Sequence, residues 1–213
     1  MTSASMSRRV QDYFEMVSPQ WDVMRKSFYG DEIREAVLNA VSVNPADTVL
    51  DIGAGTGFLT EAAAKIASKV IALDFSRGMG YEAIAKMGRR NVEFRVGNVE
   101  SMPLQASSVD VVIGNMVLHH CPHPKVAFSE MSRVLKPNGR VAISDLQEHT
   151  YDWLLKEHAD LWLGFRMEDV AVMMNETGLE NLKVETLSSC CSSIENGEQV
   201  RIPMFLAFGK KKD

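Results

Sequence analysis

A chain of 213 residues with a formal net charge of −5 at pH 7 can bury one sizeable core and is too acidic to present a broad phosphate-binding surface. Hydrophobic residues make up 46% and charged residues 24%, the balance of an ordinary globular protein. No run reaches the roughly 18 unbroken apolar residues of a membrane span. The opening MTSASMSRRVQDYF has no signal-peptide apolar segment, and three cysteines without a Cys-x-x-Cys spacing do not make a disulfide framework, so a reducing cytoplasm is the expectation.

Residues 8–17 and 31–42 read as helices separated by SPQWDVMRKSFYG. TVLDI at 48–52 is a short apolar run after Pro45 and reads as a buried strand. A helix is expected from 58 to 67, a second strand at 69–74, and a helix capped by Ser76 running through Ala85. VEFRV (92–96) and VDVVIG (109–114) give strands three and four, PKVAFSEMSRVL (124–135) an amphipathic helix, KPNGR a turn, and RVAIS (140–144) strand five. Helices over 151–163 and 167–177 follow, the second with Gly178 as its C-cap. NLKVETL and IPMFLAFG then read as two strands joined by a polar loop. Alternation of strand and helix through five strands implies a parallel sheet covered on both faces. Ligands of such sheets bind at the carboxyl ends of the strands, where Gly53 to Gly57, Asp74, Gly97 to Glu100 and Gly114 to Cys121 converge.

LDIGAGTGFLT, residues 50–60, has the glycine density of a loop that lets backbone approach a ligand. It is not a P-loop, because no Gly-Lys-Ser/Thr follows. A dinucleotide fingerprint starting at Gly53 would place its third small residue at position 58, which is Phe58; that counts against NAD or FAD. Asp74 ends the second strand, where a carboxylate can accept hydrogen bonds from ribose hydroxyls or cap the helix that follows. Together the two features point to an adenosine-bearing ligand without a pyrophosphate.

VLDIGAGTGFLT, VIALDFSRGM, VEFRVGNVESMPL and VDVVIGNMVLHHCPHPKVAFSEMSRVLKPNGRVAIS, in that order, resemble the successive motifs of class I S-adenosylmethionine-dependent methyltransferases. The closest resemblance is to the type 11 subgroup that includes the ubiquinone and menaquinone C-methyltransferases. It implies an α/β fold: a Rossmann-like, doubly wound, seven-stranded sheet, mostly parallel with the last strand antiparallel. It further implies one methyltransferase domain over 1–213, with a helical cover (1–45), a cofactor-binding core (46–144), and substrate-side helices with a C-terminal strand pair (145–213). The cofactor implied is S-adenosyl-L-methionine, leaving as S-adenosyl-L-homocysteine. Carried onto this sequence, Asp51, Gly53, Ala54, Gly55 and Gly57 line the methionine part. Asp74 takes the ribose, and Phe75 and Met79 pack on adenine. Asn98, Val99 and Glu100 stand at the adenine edge, with Asn98 where the family usually has Asp. Asn115 faces the methyl-donor end, and Tyr13 with Phe14 matches an aromatic pair that covers the cofactor.

His119 and His120, just past strand four, have side chains that titrate near neutrality and suit a general base or a cap on the loop before Pro122. Asp145, Gln147 and His149 follow strand five and can reach the same crevice, whereas His158 reads as a helix-surface residue. Trp162, Leu163, Phe165 and Met167 concentrate apolar bulk that suits an acceptor pocket or a homodimer contact. Cys121, Cys190 and Cys191 are soft donors for a thiophilic metalloid, or three unrelated thiols; no resident metal is expected. Three readings follow: a methyltransferase for a small-molecule acceptor, a metalloid (arsenite) or thiol methyltransferase using Cys190 and Cys191, and a catalytically silent adenosylmethionine-binding partner subunit. No nucleic-acid partner is expected.

Overall fold

The computed structural model describes residues 2–88, 91–195 and 198–213. The N-terminal segment is more helical than its sequence pattern suggests. Helix α1 spans Ser3–Val17 and is capped by Thr2; a 3-10 turn follows, then α2 (Trp21–Phe28) and α3 (Glu32–Val41). Helix α2 falls within the stretch read as a connection. The alternating part then runs β1 (Thr48–Ile52), α4 (Phe58–Ala63), β2 (Lys69–Asp74), α5 (Arg77–Met87), β3 (Val92–Val96), β4 (Val109–Asn115), α6 (Pro124–Val134) and β5 (Leu135–Leu146). The C-terminal part holds α7 (Leu154–Glu157), α8 (Met167–Glu176), β6 (Leu179–Glu195) and β7 (Glu198–Lys211).

The strands form one seven-stranded sheet in the order β3-β2-β1-β4-β5-β7-β6. Strands β1 to β5 pair in parallel, and β7 runs antiparallel to both β5 and β6. The central strands are near-continuous apolar runs because helices cover both faces. On one face Leu50, Ile52 and Val112 pack with Phe128 and Met131 of α6; on the other Val49, Val111 and Ile113 pack with Ile33 and Val37 of α3. The chain reverses sheet direction between β1 and β4, whose carboxyl ends, Ile52 and Asn115, flank the crevice expected at such a point.

Three segments depart from the sequence reading. The KPNGR turn is a bulge inside β5, where the register passes from Val109↔Leu135 to Val111↔Arg140 and Asn138 adopts φ 60°. The polar stretch expected to be a loop between the last strands is strand on both sides: Cys190, Cys191, Ser192 and Ser193 pair with Pro203, Ile202, Arg201 and Val200. Positions 196 and 197 of that stretch lie outside the described residues. The helix expected over 151–163 shrinks to α7. Tertiary hydrogen bonds displace it: Leu161 N and Trp162 N donate to His119 O, and His149 N donates to Leu163 O. Ala159 and Gly164 supply left-handed φ values of 60° and 72°.

Gly164 allows this return strand to lie against Gln147. A Cβ built there would sit 2.1 Å from the Gln147 carbonyl oxygen. We predict that Gly164→Ala lowers stability by about 1–3 kcal/mol, the range for a residue held in a disfavoured backbone region. Urea denaturation should show the midpoint falling while the slope is kept; an unmoved midpoint would mean that this segment is not fixed by its backbone.

Candidate active site

The loop after β1 is shaped by backbone conformation. Gly53, Gly55 and Gly57 have φ of 60°, 54° and 92°, a left-handed region that non-glycine residues rarely enter. Ala54 N donates to Leu73 O, tying the loop to the end of β2. A Cβ on Gly53 would lie 2.5 Å from Val117 Cγ2, so the loop and the segment after β4 pack at backbone distance. The Asp74 carboxylate then fixes the loop from the side: Gly55 N donates to Oδ2 at 2.8 Å and Ser76 N to Oδ1 at 2.9 Å. Each oxygen keeps further acceptor capacity. Asp51 is buried behind the loop and accepts a 2.5 Å hydrogen bond from Thr60 Oγ1. Burial pushes the Asp51 carboxyl up to about 7 and Asp74 up to about 6, because both charged forms lack solvent.

These groups face a cleft of about 870 Å³, including the open space above it. Asp51, Gly53, Ala54 and Gly55 enter it from the first loop, and Asp74, Phe75 and Met79 from the second. Asn98, Val99, Asn115 and His120 come from the third and fourth. Three expected members lie elsewhere. Gly57 caps α4 and opens on the outer side against Met87; Glu100 turns to accept from His123 N; Tyr13 lines the neighbouring cavity. Asn98 Oδ1 accepts from Glu100 N at 2.8 Å, and Asn115 Oδ1 from Ser144 Oγ at 2.7 Å. Phe58 starts α4 with its ring 4.2 Å from the Arg25 guanidinium and 4.5 Å from that of Arg34, so its bulk is held in place by two cations. Sequence reasoning missed Trp21 and Tyr29, which reach the cleft from α2 and the residue after it. Their signal was the aromatic content of a stretch read as a connection.

A second cavity of about 520 Å³ adjoins the cleft and shares Phe14, Trp21, Tyr29, Met116 and His120 with it. Tyr13 and Phe28 extend its aromatic wall, while Leu146, Leu154, Ile202 and Cys191 supply aliphatic and thiol surface. Its polar members are His119, His158, Asp160 and Ser193. Trp162, Leu163, Phe165 and Met167, expected at such a pocket, do not line it. Trp162 Nε1 instead donates to Cys121 O, and Phe165 and Met167 join the core beneath. His158 and Asp160 from the same segment enter in their place.

The expected histidines separate into three environments. His119 is buried, its Nδ1 lying 2.6 Å from Asp145 Oδ1; burial alone would lower its pKa, but the Asp145 and Asp160 carboxylates outweigh burial and raise it to about 9. His120 sits where the two cavities meet, and burial together with the His119 charge holds it well below the ordinary histidine value. His149 lines neither cavity. Its Nδ1 accepts from Tyr151 N, and burial lowers it to about 4. The cysteines are also divided. Successive strand residues face opposite ways: Cys191 enters the second cavity, while the Cys190 sulfur receives Arg201 Nε at 2.9 Å. Cys121 donates to Val117 O and touches the cleft. Burial pushes the Cys191 thiol up to about 12.

Residues 50–143 match the family described as methyltransferase domain, type 11. A demethylmenaquinone methyltransferase from Renibacterium salmoninarum is 33% identical over 157 residues, which cover 71% of this chain and 65% of that protein. An arsenite methyltransferase from Halobacterium salinarum is 35% identical over 152 residues, covering 66% of this chain and 39% of that protein. The chain therefore spans less than two thirds of the length of these two relatives. The crystal structure of an S-adenosylmethionine-dependent methyltransferase from Aquifex aeolicus superposes with a TM-score of 0.63 at 23% identity, over 83% of this chain and 88% of that one, which shows the shared fold. With the glycine loop, the strand-end Asp74 and the antiparallel β7 all in their places, residues 50–143 are a methyltransferase domain of the type 11 family, set in the class I S-adenosylmethionine-dependent methyltransferase fold.

Proposed function

We propose that the chain transfers a methyl group from S-adenosylmethionine to a small organic acceptor seated in the aromatic-walled second cavity. The observation that carries this reading is the shared wall: a cleft with strand-end carboxylates opens onto an apolar cavity across Phe14, Trp21, Tyr29, Met116 and His120. The cofactor supplies a sulfonium methyl already activated for in-line displacement. The residues of the cleft fit it. Asp74 has free acceptor sites for ribose hydroxyls, and Asp51 is a buried carboxylate whose charge an ammonium partner would restore. Phe75 and Met79 offer the flat apolar surface an adenine needs, and the bulk of Phe58 stands at the start of α4, where a pyrophosphate would have to approach.

What remains for the protein is orientation and exclusion of water, which together can supply most of the acceleration. The aromatic wall does both. His120, neutral and at the junction, is placed to take a proton from an acceptor that arrives protonated. His119 is committed to Asp145 and acts by holding the loop. The net charge of −5 supports a small-molecule acceptor over a nucleic acid. Among the described residues, no helix is long and apolar enough to cross a membrane. The second cavity also favours turnover over a silent binding subunit, which would have no use for an acceptor site.

Methylation of a metalloid held by cysteines is the second reading, favoured by Cys191 and Cys121 each lining one of the two adjoining cavities. The pleat of β6 weakens it, since Cys190 faces away from Cys191. Cys190→Ser should therefore leave turnover of an organic acceptor within about twofold, as for other substitutions away from a site. Arsenite-dependent methyl transfer that disappears in this variant would reverse the preference.

Two further predictions concern the cofactor. Asp74→Ala should weaken adenosylhomocysteine binding by about 1.5–3 kcal/mol, the range for hydrogen bonds to a charged group. Isothermal calorimetry gives the value, and NAD binding as tight as adenosylhomocysteine in the wild type would sink the adenosylmethionine assignment. The affinity should also depend on pH. At pH values below about 7 the free protein holds Asp51 protonated. Binding an ammonium group then requires that proton to leave, so affinity should rise by up to about tenfold per pH unit from pH 5.5 toward 7 and then flatten. Asp74, at about 6, steepens the acid end. In Asp51→Asn the rise near pH 7 should vanish; the same profile in that variant would assign the dependence elsewhere.

A further inference from the structure

Three donor groups meet in the wall of the second cavity with no hydrogen bond between them. His119 uses Nδ1 on Asp145, which leaves Nε2 on the far side of the ring. That Nε2 lies 3.8 Å from Asp160 Oδ1, and His120 Nδ1 lies 3.9 Å from the same oxygen. Both separations exceed hydrogen-bond distance. His120 Nδ1 is buried and has no hydrogen-bond partner among the described residues. One donor atom from each of the three residues falls within 4.8 Å of the other two. A buried nitrogen without a partner is costly, and this one faces a carboxylate across a gap that neither group closes.

We propose that His119, His120 and Asp160 form a binding site for a divalent transition metal, best suited to zinc. Two imidazoles and one carboxylate are a borderline-soft donor set, and three protein ligands leave the fourth position of a tetrahedral ion open. Zinc bonds of about 2.0–2.2 Å set tetrahedral donors about 3.3 Å apart, so the two pairs at 3.8 and 3.9 Å must each close by about half an ångström and the third pair by at most about 1.5 Å, within reach of side-chain rotation. Asp145 completes the site from behind: a carboxylate on the other ring nitrogen of a ligating histidine fixes its tautomer and orientation. The charges also match, since Asp145 and Asp160 together balance a dication in a region where both are almost fully buried. The three ligand residues line the second cavity, so the open position faces its contents. There it takes an anionic oxygen or a thiolate of the acceptor, whose proton is lost to solvent on coordination, so that the ion replaces His120 in the proton-taking role that His120 has in the metal-free chain; this last step rests on the reading of that cavity as the acceptor site.

The test uses the full tag-free chain, stripped with chelator and titrated with zinc chloride in a calorimeter, and separately loaded with cobalt. One zinc per chain is expected, reversed by chelator. The cobalt form should show the intense visible bands of a four-coordinate ion without sulfur-to-metal charge transfer. Asp160→Asn and His120→Gln should each weaken zinc at least about tenfold, since losing even an outer-shell partner costs 10–100-fold; Cys191→Ser should leave it unchanged. Absence of stoichiometric uptake overturns the proposal, as does uptake that survives Asp160→Asn and disappears in Cys191→Ser. If either ligand variant fails to fold, the cobalt spectrum of the wild type decides by itself. None of these readouts requires methyl transfer, so failure of the site and failure of the proposed reaction are told apart.

Discussion

The carboxylate of Asp145 is the junction on which the second cavity depends. It is fully buried at the end of β5 and accepts from Leu118 N and Leu146 N at 2.7 Å each and from His119 Nδ1 at 2.6 Å. One side chain thereby ties the segment after β4 to the strand beside it. A charge in such a place is tolerated only when paired and hydrogen-bonded; removing one partner of a buried pair typically costs about 3–5 kcal/mol. The effect passes outward through His119, whose carbonyl receives Leu161 N and Trp162 N and bends residues 159–162 across the cavity instead of letting them continue as a helix. Asp160 reaches the cavity because of that bend.

The cofactor side is built on a different principle. Its shape comes from backbone: three left-handed glycines, a close approach to Val117, and two main-chain N–H groups held by Asp74. A surface made this way is specified by a few residue types at fixed spacing, so one loop serves many members of a family. The second cavity is made of side chains drawn from α1, α2 and the residue after it, the segment after β4, β5, α7, the segment between α7 and α8, β6 and β7. Small changes in any of them reshape it, and this is why a shared fold says little about the acceptor.

That difference also decides what the sequence revealed. The glycine spacing and Asp74 were readable because their requirement is local, and the five parallel strands because buried strands are short apolar runs between turn residues. The C-terminal hairpin was under-read because β6 is an edge strand. Half of its residues need no burial, and SSCCSSIE carries its inward face on Cys191, which is no signal in a polar stretch. The helix assigned to 151–163 was over-read because its periodicity was outweighed by hydrogen bonds to His119, more than thirty residues away in sequence. Trp21 and Tyr29 were missed for the same reason. Nothing near them in sequence says that α2 lies over the end of β1, whereas a Cβ on Gly55 would come within 3.5 Å of the Trp21 ring nitrogen.

Helix α1 joins the two halves. Glu15 accepts from Arg77 N and Gly78 N at the start of α5, where a carboxylate also meets the positive end of the helix dipole. Gln11 Nε2 donates to Phe75 O at the cofactor cleft, whereas Arg9 donates to Asp160 O and Tyr13 pairs with His158 at the second cavity. Phe14 lies between, its ring 4.9 Å from His120 and 5.4 Å from Trp21. About two consecutive turns of one helix thus hold the wall of both cavities. A shift of α1 that opened the first cleft would carry Tyr13 and Phe14 with it and reshape the second cavity. The walls of the two cavities are therefore joined through a single helix, and residues chosen for one face of α1 constrain what the other face can contact.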